Sequence, residues 1–226
     1  MDIKNLILII IAVINCFIAT ILILKNSKSF INISFAIFFY GASIWSFGLS
    51  MFNITMNLEA AMAWAKIYYF GAAIIALAFL LFANNFIYSF HKITEVRMLY
   101  LFIPFITVVF VIFHPTFLIE NVSHYNWGND ANEKLFGHLL FAAYFFTYVI
   151  MAFRILFIKL KNLDGVNRRS LNIIIWSSLI SFIFGVTFDL ALPLSGYYKL
   201  VWLGPYFSIV TSIFLTYLIF YKPKTN

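Results

Sequence analysis

The chain has 226 residues, of which 64% are hydrophobic and only 10% are charged, and 29 of them are phenylalanine. Soluble domains average roughly 45–50% apolar and 25% charged residues, so this composition excludes an ordinary soluble domain. The net charge of +7 comes from 15 Lys and Arg scattered between apolar segments, which excludes a continuous basic face for nucleic acid. We therefore expect a membrane protein whose direct partner is the lipid bilayer.

Seven apolar segments predict seven transmembrane helices. The hydrocarbon core of a bilayer is ~30 Å thick, and a helix needs roughly 20 residues to cross it. The predicted fold class is an all-α membrane protein, with residues 1–226 forming a single seven-helix transmembrane domain. The segments occupy residues 6–24, 30–52, 60–88, 98–113, 136–158, 170–192 and 200–221.

The distribution of positive charge indicates the orientation of this bundle. Only four of the 15 Lys and Arg lie toward one side, namely Lys4, Lys66, Lys134 and Lys199, and the other eleven lie toward the opposite side. Cytoplasmic loops carry an excess of Lys and Arg, so the N-terminus is predicted outside and the C-terminus in the cytoplasm. This topology puts the large polar loop, residues 114–135, on the outer face. We expect the membrane to be the bacterial cytoplasmic membrane.

Three charged residues lie within predicted spans, Lys66 in helix 3, Arg154 in helix 5 and Asp189 in helix 6, and we interpret Arg154 as an anchor to the inner headgroups. The other two remain candidates. A charge at the bilayer centre costs roughly 2.5–3.5 kcal/mol on insertion scales, which makes such residues candidates for function. Both lie near the outer ends of their helices, at similar depth. Either they pair inside the bundle, or Lys66 extends to the outer headgroups while Asp189 sits at the interface.

Aromatic residues and a histidine gather at the same outer ends of the helices. They predict a ligand pocket between helices, although rings at this depth are also typical of an interfacial aromatic belt. The histidine would otherwise be a hydrogen-bonded interfacial residue, and no metal-ligand spacing or cofactor motif accompanies it. The candidate pocket residues are Lys66, Asp189, His138, Trp64, Tyr68 and Trp202.

Small and hydroxyl residues follow one face of helices 2 and 6. In lipid, such stripes let helix backbones approach closely, so we interpret them as packing seams in preference to a substrate path. They include Ser43, Ser46 and Ser50 in helix 2 and Ser178, Ser181 and Gly185 in helix 6, with Asp189 one turn further along the second stripe.

Five short sequence features together resemble the seven-helix N-terminal sensor region of bacterial histidine kinases. They are the polar stop Asn26-Ser27 before a helix with Trp45, WAKIYYFG at residues 64–71, RRSLNIII at 168–175, DLALP at 189–193 and LGP at 203–205. The resemblance covers almost the whole chain and implies that the helices feed a cytoplasmic signalling module through the last helix. No phosphoacceptor-histidine helix or ATP-binding domain is recognisable in the sequence, so we expect no enzymatic activity from this chain.

The sequence thus predicts a non-enzymatic sensor that binds an unknown small ligand from the outer side and signals through helix 7. Its downstream partner would be a cytoplasmic signalling protein or a second copy of the chain. A small transporter of amphipathic solutes is the alternative. The sequence argues against a retinal protein, which needs a Schiff-base lysine in the middle of helix 7, because no lysine lies between Lys199 and Lys222. An intramembrane hydrolase ranks last, since Asp189 has no second carboxylate inside any predicted span.

Overall fold

The computed structural model describes residues 2–87, 89–90 and 95–221. Within these residues the chain forms seven long helices and one β-hairpin, which confirms the predicted seven-helix architecture. The helices are α1 (Ile3–Lys25), α2 (Phe30–Ile54), α3 (Leu58–Asn85), α4 (Glu95–Phe113), α5 (Leu135–Lys161), α6 (Gly165–Leu194) and α7 (Gly204–Tyr221). The strands are β1 (Ile119–Tyr125) and β2 (Gly128–Glu133).

The lengths and composition of these helices fit a lipid bilayer. Five of them, α1, α2, α3, α5 and α6, are long and apolar enough to cross a membrane, and α4 contributes the shorter apolar run Leu99–Phe113. Helix α7 has 18 residues and therefore extends about 27 Å, close to the hydrocarbon thickness. The chain is an integral membrane protein built as a seven-helix bundle.

Helix α3 occupies the centre of the bundle. It is buried along most of its length and packs against α2, α4 and α5, while α7 closes the bundle by packing against α6, α1 and α2. Helices α2 and α3 approach closely because Gly41 and Gly71 face one another. A Cβ atom on Gly71 would lie 2.5 Å from the backbone nitrogen of Trp45 and 2.8 Å from the carbonyl oxygen of Gly41.

The polar stripe of α2 is a packing seam, as predicted. Ser43 Oγ donates to the carbonyl oxygen of Ala12 at 2.8 Å, and Ser50 Oγ donates to that of Asn5 at 3.1 Å. Both acceptors belong to α1, so these hydroxyls hold the first two helices together. Ser46 instead bonds within its own helix.

The β-hairpin departs from the all-α prediction, which treated residues 114–135 as an irregular polar loop. Strands β1 and β2 pair antiparallel, with Tyr125 opposite Gly128 at the turn. Asn129 Nδ2 donates to the carbonyl oxygens of Phe52 and Thr55, at 2.5 and 2.7 Å, so the hairpin is fastened to the C-terminal end of α2. We call this end of the bundle the hairpin end.

A buried lysine fixes the opposite end of the bundle. Lys159 was predicted in the inner loop, but its side chain is fully buried and its Nζ donates to the carbonyl oxygens of Ala83, Asn84 and Phe86 at 2.8–2.9 Å. These are the last carbonyls of α3 and the residue after it. Helix α3 accordingly ends at Asn85 and not at the predicted residue 88, which lies outside the described residues.

The start of the last helix also differs from its prediction. Residues Tyr198–Leu203 form a 3-10 helix, and α7 begins at Gly204 instead of residue 200. Pro205 occupies the first turn of α7, where a missing backbone N–H costs no hydrogen bond. The 3-10 helix lies across the hairpin end, so its side chains reach the space above the bundle core.

Candidate functional site

An apolar cavity of about 60 Å³ lies in the half of the bundle nearest the hairpin, bounded by α2, α3, α5, α6 and α7. By the usual allowance of roughly 10–15 Å³ for one water, this space would accept a small molecule. Aromatic rings form most of the wall. They include Phe38, Trp45, Tyr68, Phe141, Phe145 and Phe182.

One carboxylate projects into this apolar wall. Asp189 lies in a π-helical turn, Thr187–Ala191, near the end of α6, and π-helical turns occur frequently at functional sites. Both of its carboxylate oxygens are buried, and neither has a hydrogen-bond partner among the described residues. Buried polar groups are almost always paired, because an unpaired one costs roughly 1–3 kcal/mol or more. Asp189 is therefore the one strongly polar anchor that the cavity offers.

The stripe of α6 lines this cavity as well as serving as a packing seam, since Ser181 also bonds α7. Ser181, Gly185 and Asp189 all contribute to the wall. Gly185 leaves room because it has no side chain, and a Cβ there would meet only the Trp45 ring, at 3.5 Å. The spacing of four residues gave the correct face of the helix but could not show that the neighbouring helices stand apart there.

A second, smaller cavity of about 20 Å³ lies between the first cavity and the hairpin, and we call it the vestibule. Tyr68 and Asp189 line both spaces. The remaining walls of the vestibule include Trp202 from the 3-10 helix and the acidic residues Asp130 and Glu133 of β2. Three predicted pocket residues, Tyr68, Asp189 and Trp202, are thus brought together around one polar passage.

Glu133 is the centre of a hydrogen-bonded network at the vestibule. One carboxylate oxygen accepts from the hydroxyl of Tyr69, and the other bonds Nδ1 of His138, whose side chain is fully buried. His138 itself lines neither cavity, so it holds Glu133 in place instead of forming the pocket wall. Sequence reasoning missed Glu133 because it treated the hairpin as a loop. The five-residue spacing from Glu133 to His138 follows no recognised motif.

The electrostatic environment of the vestibule is acidic. Burial, with a contribution from the charge of Glu133, raises the pKa of Asp130 to about 6, and the same two causes raise the pKa of Tyr198 to about 12. Two lysines also border the space. Lys4 is 3.1 Å from the carboxylate of Asp2, and Lys199 is exposed, so neither neutralises the buried Asp189 carboxylate.

The predicted ion pair between Lys66 and Asp189 is wrong. Lys66 Nζ donates to the carbonyl oxygen of His114, at 3.3 Å, and so binds the end of α4. Lys66 lines neither the cavity nor the vestibule, although it lies at the predicted depth.

Trp64 also lies away from the cavity. Its ring packs edge-on against Phe47 with 5.7 Å between ring centroids, and it lines neither the cavity nor the vestibule. Trp202, by contrast, lines the vestibule and packs edge-on against Tyr206 of α7 at 5.2 Å. The aromatic residues at this end therefore divide between an outer surface and a cavity wall.

Several contacts join the cavity wall to α7. The Asp189 carboxylate lies against the backbone of Gly204, the first residue of α7, where a Cβ atom would overlap it. Ser181 Oγ donates to the carbonyl oxygen of Phe207 at 2.5 Å, and Thr211 Oγ1 lies 2.7 Å from Ser181 Oγ. A change at Asp189 or Ser181 would therefore act directly on the position of the last helix.

Taken with the fold, this site defines a seven-helix integral membrane protein with a ligand-sized cavity and a smaller second cavity beside the hairpin. A family model described as the N-terminal 7TM region of histidine kinase matches residues 7–224, so the chain belongs to that family. No curated protein matches the sequence. The resemblance seen in the sequence is thereby confirmed, and the family assigns the chain to the membrane sensor region of a kinase and not to its catalytic part.

Proposed function

We propose that the chain binds a small apolar or amphipathic molecule in this cavity from the outer side of the cytoplasmic membrane, and that α7 transmits occupancy to a cytoplasmic signalling partner. The observation that carries the proposal is the position of Asp189. Asp189 lines the cavity, and its buried, unpartnered carboxylate touches Gly204 of α7. A ligand bound at Asp189 would alter the contact that fixes the start of the last helix.

The direction of access follows from the charge distribution. Of the 12 Lys and Arg that the structure describes, eight lie toward the end opposite the hairpin, as the positive-inside rule requires of a cytoplasmic face. The vestibule lies on the hairpin side of the cavity and shares Tyr68 and Asp189 with its wall. A molecule would therefore enter beneath the hairpin, from outside the cell.

The packing below the cavity favours a sensor over a transporter. Phe79 lies one helical turn beyond the cavity residue Ile75, and its ring centroid is 5.2 Å from that of Phe153 and 4.9 Å from that of Phe182. This aromatic layer separates the cavity from the opposite end of the bundle. Occupancy can change helix positions without any solute passing through.

A side chain that permanently fills the cavity should move α7 in the same way as a bound ligand. We expect Gly185→Leu, whose side chain would enter the cavity, to shift α7 by about 1–2 Å, the usual size of a signalling helix movement. Spin labels at Ile213 on α7 and Phe157 on α5, in a Cys16→Ser background, would measure this shift, because both side chains are exposed on the bundle surface.

A label pair that excludes α7 provides the control for this experiment. The distance from Leu24 on α1 to Phe157 on α5 should stay unchanged in Gly185→Leu, since both side chains are exposed and the pair does not include α7. If neither distance differs between Gly185→Leu and the native protein, transmission through α7 is refuted.

A further inference from the structure

The chemistry of the cavity wall specifies the class of ligand more narrowly than its size does. The wall combines aromatic rings with a single carboxylate. The hydroxyls of its serine and threonine residues already donate within the protein, Ser181 to Phe207, Ser208 to Pro205 and Thr211 to Ser177. Asp189 is the one charged residue among the described residues of this wall, so the polar part of a ligand would bind there.

We propose that the ligand is a small amphipathic cation, such as an alkylammonium, whose positive nitrogen binds Asp189 and whose apolar part packs among the aromatic rings. This inference rests on the proposed ligand-binding function and names the chemical class for the same cavity. The faces of aromatic rings attract cations, and a carboxylate beside such rings is an arrangement suited to ammonium recognition.

The two oxygens of Asp189 support this charge assignment. They are buried without a partner in the empty protein, so the cost of removing them from water is already present before a ligand binds. An arriving cation would favour the ionised form of this carboxylate and pair with it. An anion would meet repulsion from the same oxygens, and from Asp130 and Glu133 along the vestibule.

A neutral ligand would leave the charge of the Asp189 carboxylate without a counter-charge. An alcohol can donate one hydrogen bond to Asp189, whereas an ammonium supplies a full charge and up to three donors. Three carboxylates line the vestibule, Asp130, Glu133 and Asp189, against two lysines, Lys4 and Lys199, and Lys4 is already held by Asp2. This balance of charge also favours the entry of cations.

The test is a comparison of three probes with the same six-carbon tail: n-hexylammonium, 1-hexanol and hexanoate. Their binding to the detergent-solubilised full chain would be measured by titration calorimetry at neutral pH. We expect hexylammonium to bind roughly tenfold or more tightly than hexanol, and hexanoate to bind most weakly, because truncating or reversing one charge of a buried pair has effects of at least this size.

Two variants show whether the binding involves Asp189. Asp189→Asn should weaken hexylammonium binding roughly tenfold or more while changing hexanol binding little. Glu120→Gln, which removes an exposed carboxylate from the same end of the protein, should leave all three affinities unchanged. Should Asp189→Asn fail to fold, the comparison of the three probes on the native chain still decides the charge preference.

The outcomes separate this inference from the function on which it rests. Equal or tighter binding of hexanol or hexanoate would overturn the cation while leaving a ligand cavity in place. If folded Asp189→Asn binds hexylammonium as tightly as the native chain, Asp189 does not bind the ammonium group. Binding of none of the three probes would overturn the ligand class and the proposed cavity function together.

Discussion

Replacing Lys159 with methionine should lower the free energy of unfolding by roughly 3 kcal/mol or more, because several charge-assisted hydrogen bonds are lost at once. The Lys159 ammonium is fully buried and donates to the carbonyl oxygens of Ala83, Asn84 and Phe86. Methionine preserves the length of the side chain but leaves these carbonyls at the C-terminal end of α3 without their shared donor. The measurement is unfolding of the purified protein by SDS in mixed micelles.

Lys161 provides a matched control two residues further along α5. Its side chain is exposed, so Lys161→Met should change the unfolding free energy by no more than about 0.5 kcal/mol. If both variants lose the same small amount of stability, Lys159 does not hold the ends of α3 and α5 together.

Substituting Gly71 with alanine should destabilise the bundle by about 3 kcal/mol, at the upper end of the usual cost of overpacking. The new Cβ would lie 2.5 Å from the backbone nitrogen of Trp45 and 2.8 Å from the carbonyl oxygen of Gly41. Both atoms belong to the backbone of α2 and cannot rotate away, so α2 and α3 would have to separate. The same SDS titration measures the effect.

Gly185→Ala is the control for a glycine in a helix with room for a side chain. Its Cβ would meet only the Trp45 ring, at 3.5 Å, which is ordinary van der Waals contact. Alanine has the higher helix propensity, so this variant should be as stable as the native protein or more stable by up to about 1 kcal/mol. A Gly71→Ala protein as stable as Gly185→Ala would contradict the close approach of α2 and α3.

The membrane class and the seven helices were predictable because apolar run length is a direct physical requirement of the bilayer. The hairpin was not, since its strands contain few β-branched or aromatic residues. Strand β2 reads GNDANE, a sequence that by propensity belongs to a turn. Its pairing depends on tertiary anchors, such as the bonds from Asn129 to the end of α2, that no local pattern reveals.

The candidate site was predicted in part, and the reason lies in helix geometry. The sequence gives the depth of a residue reliably, which brought Tyr68, Asp189 and Trp202 to the correct end of the bundle. The direction in which a side chain points depends on how each helix is rotated in the bundle. Lys66 and Trp64 share that depth but face other neighbours, namely the end of α4 and Phe47.

The burial of Lys159 also could not be predicted from the sequence. As one of several basic residues between α5 and α6, it was counted only as a topological charge. Its burial depends on the C-terminal carbonyls of α3, some 75 residues earlier in the chain, which attract its ammonium group. A contact of this kind appears only when the two helix ends are placed side by side.

The proposed function requires the hairpin and the vestibule beneath it to face the outside of the cell. Cysteine labelling of intact cells measures on which side of the membrane they lie. Cys16 is the only cysteine, so Cys16→Ser gives a clean background for one new cysteine at a time. Ser123→Cys, exposed on β1, should react with a membrane-impermeant thiol reagent, whereas Asn162→Cys, exposed at the opposite end, should react only after permeabilisation. If Asn162→Cys is labelled in intact cells and Ser123→Cys is protected, the hairpin faces the cytoplasm and entry of a ligand from outside is ruled out.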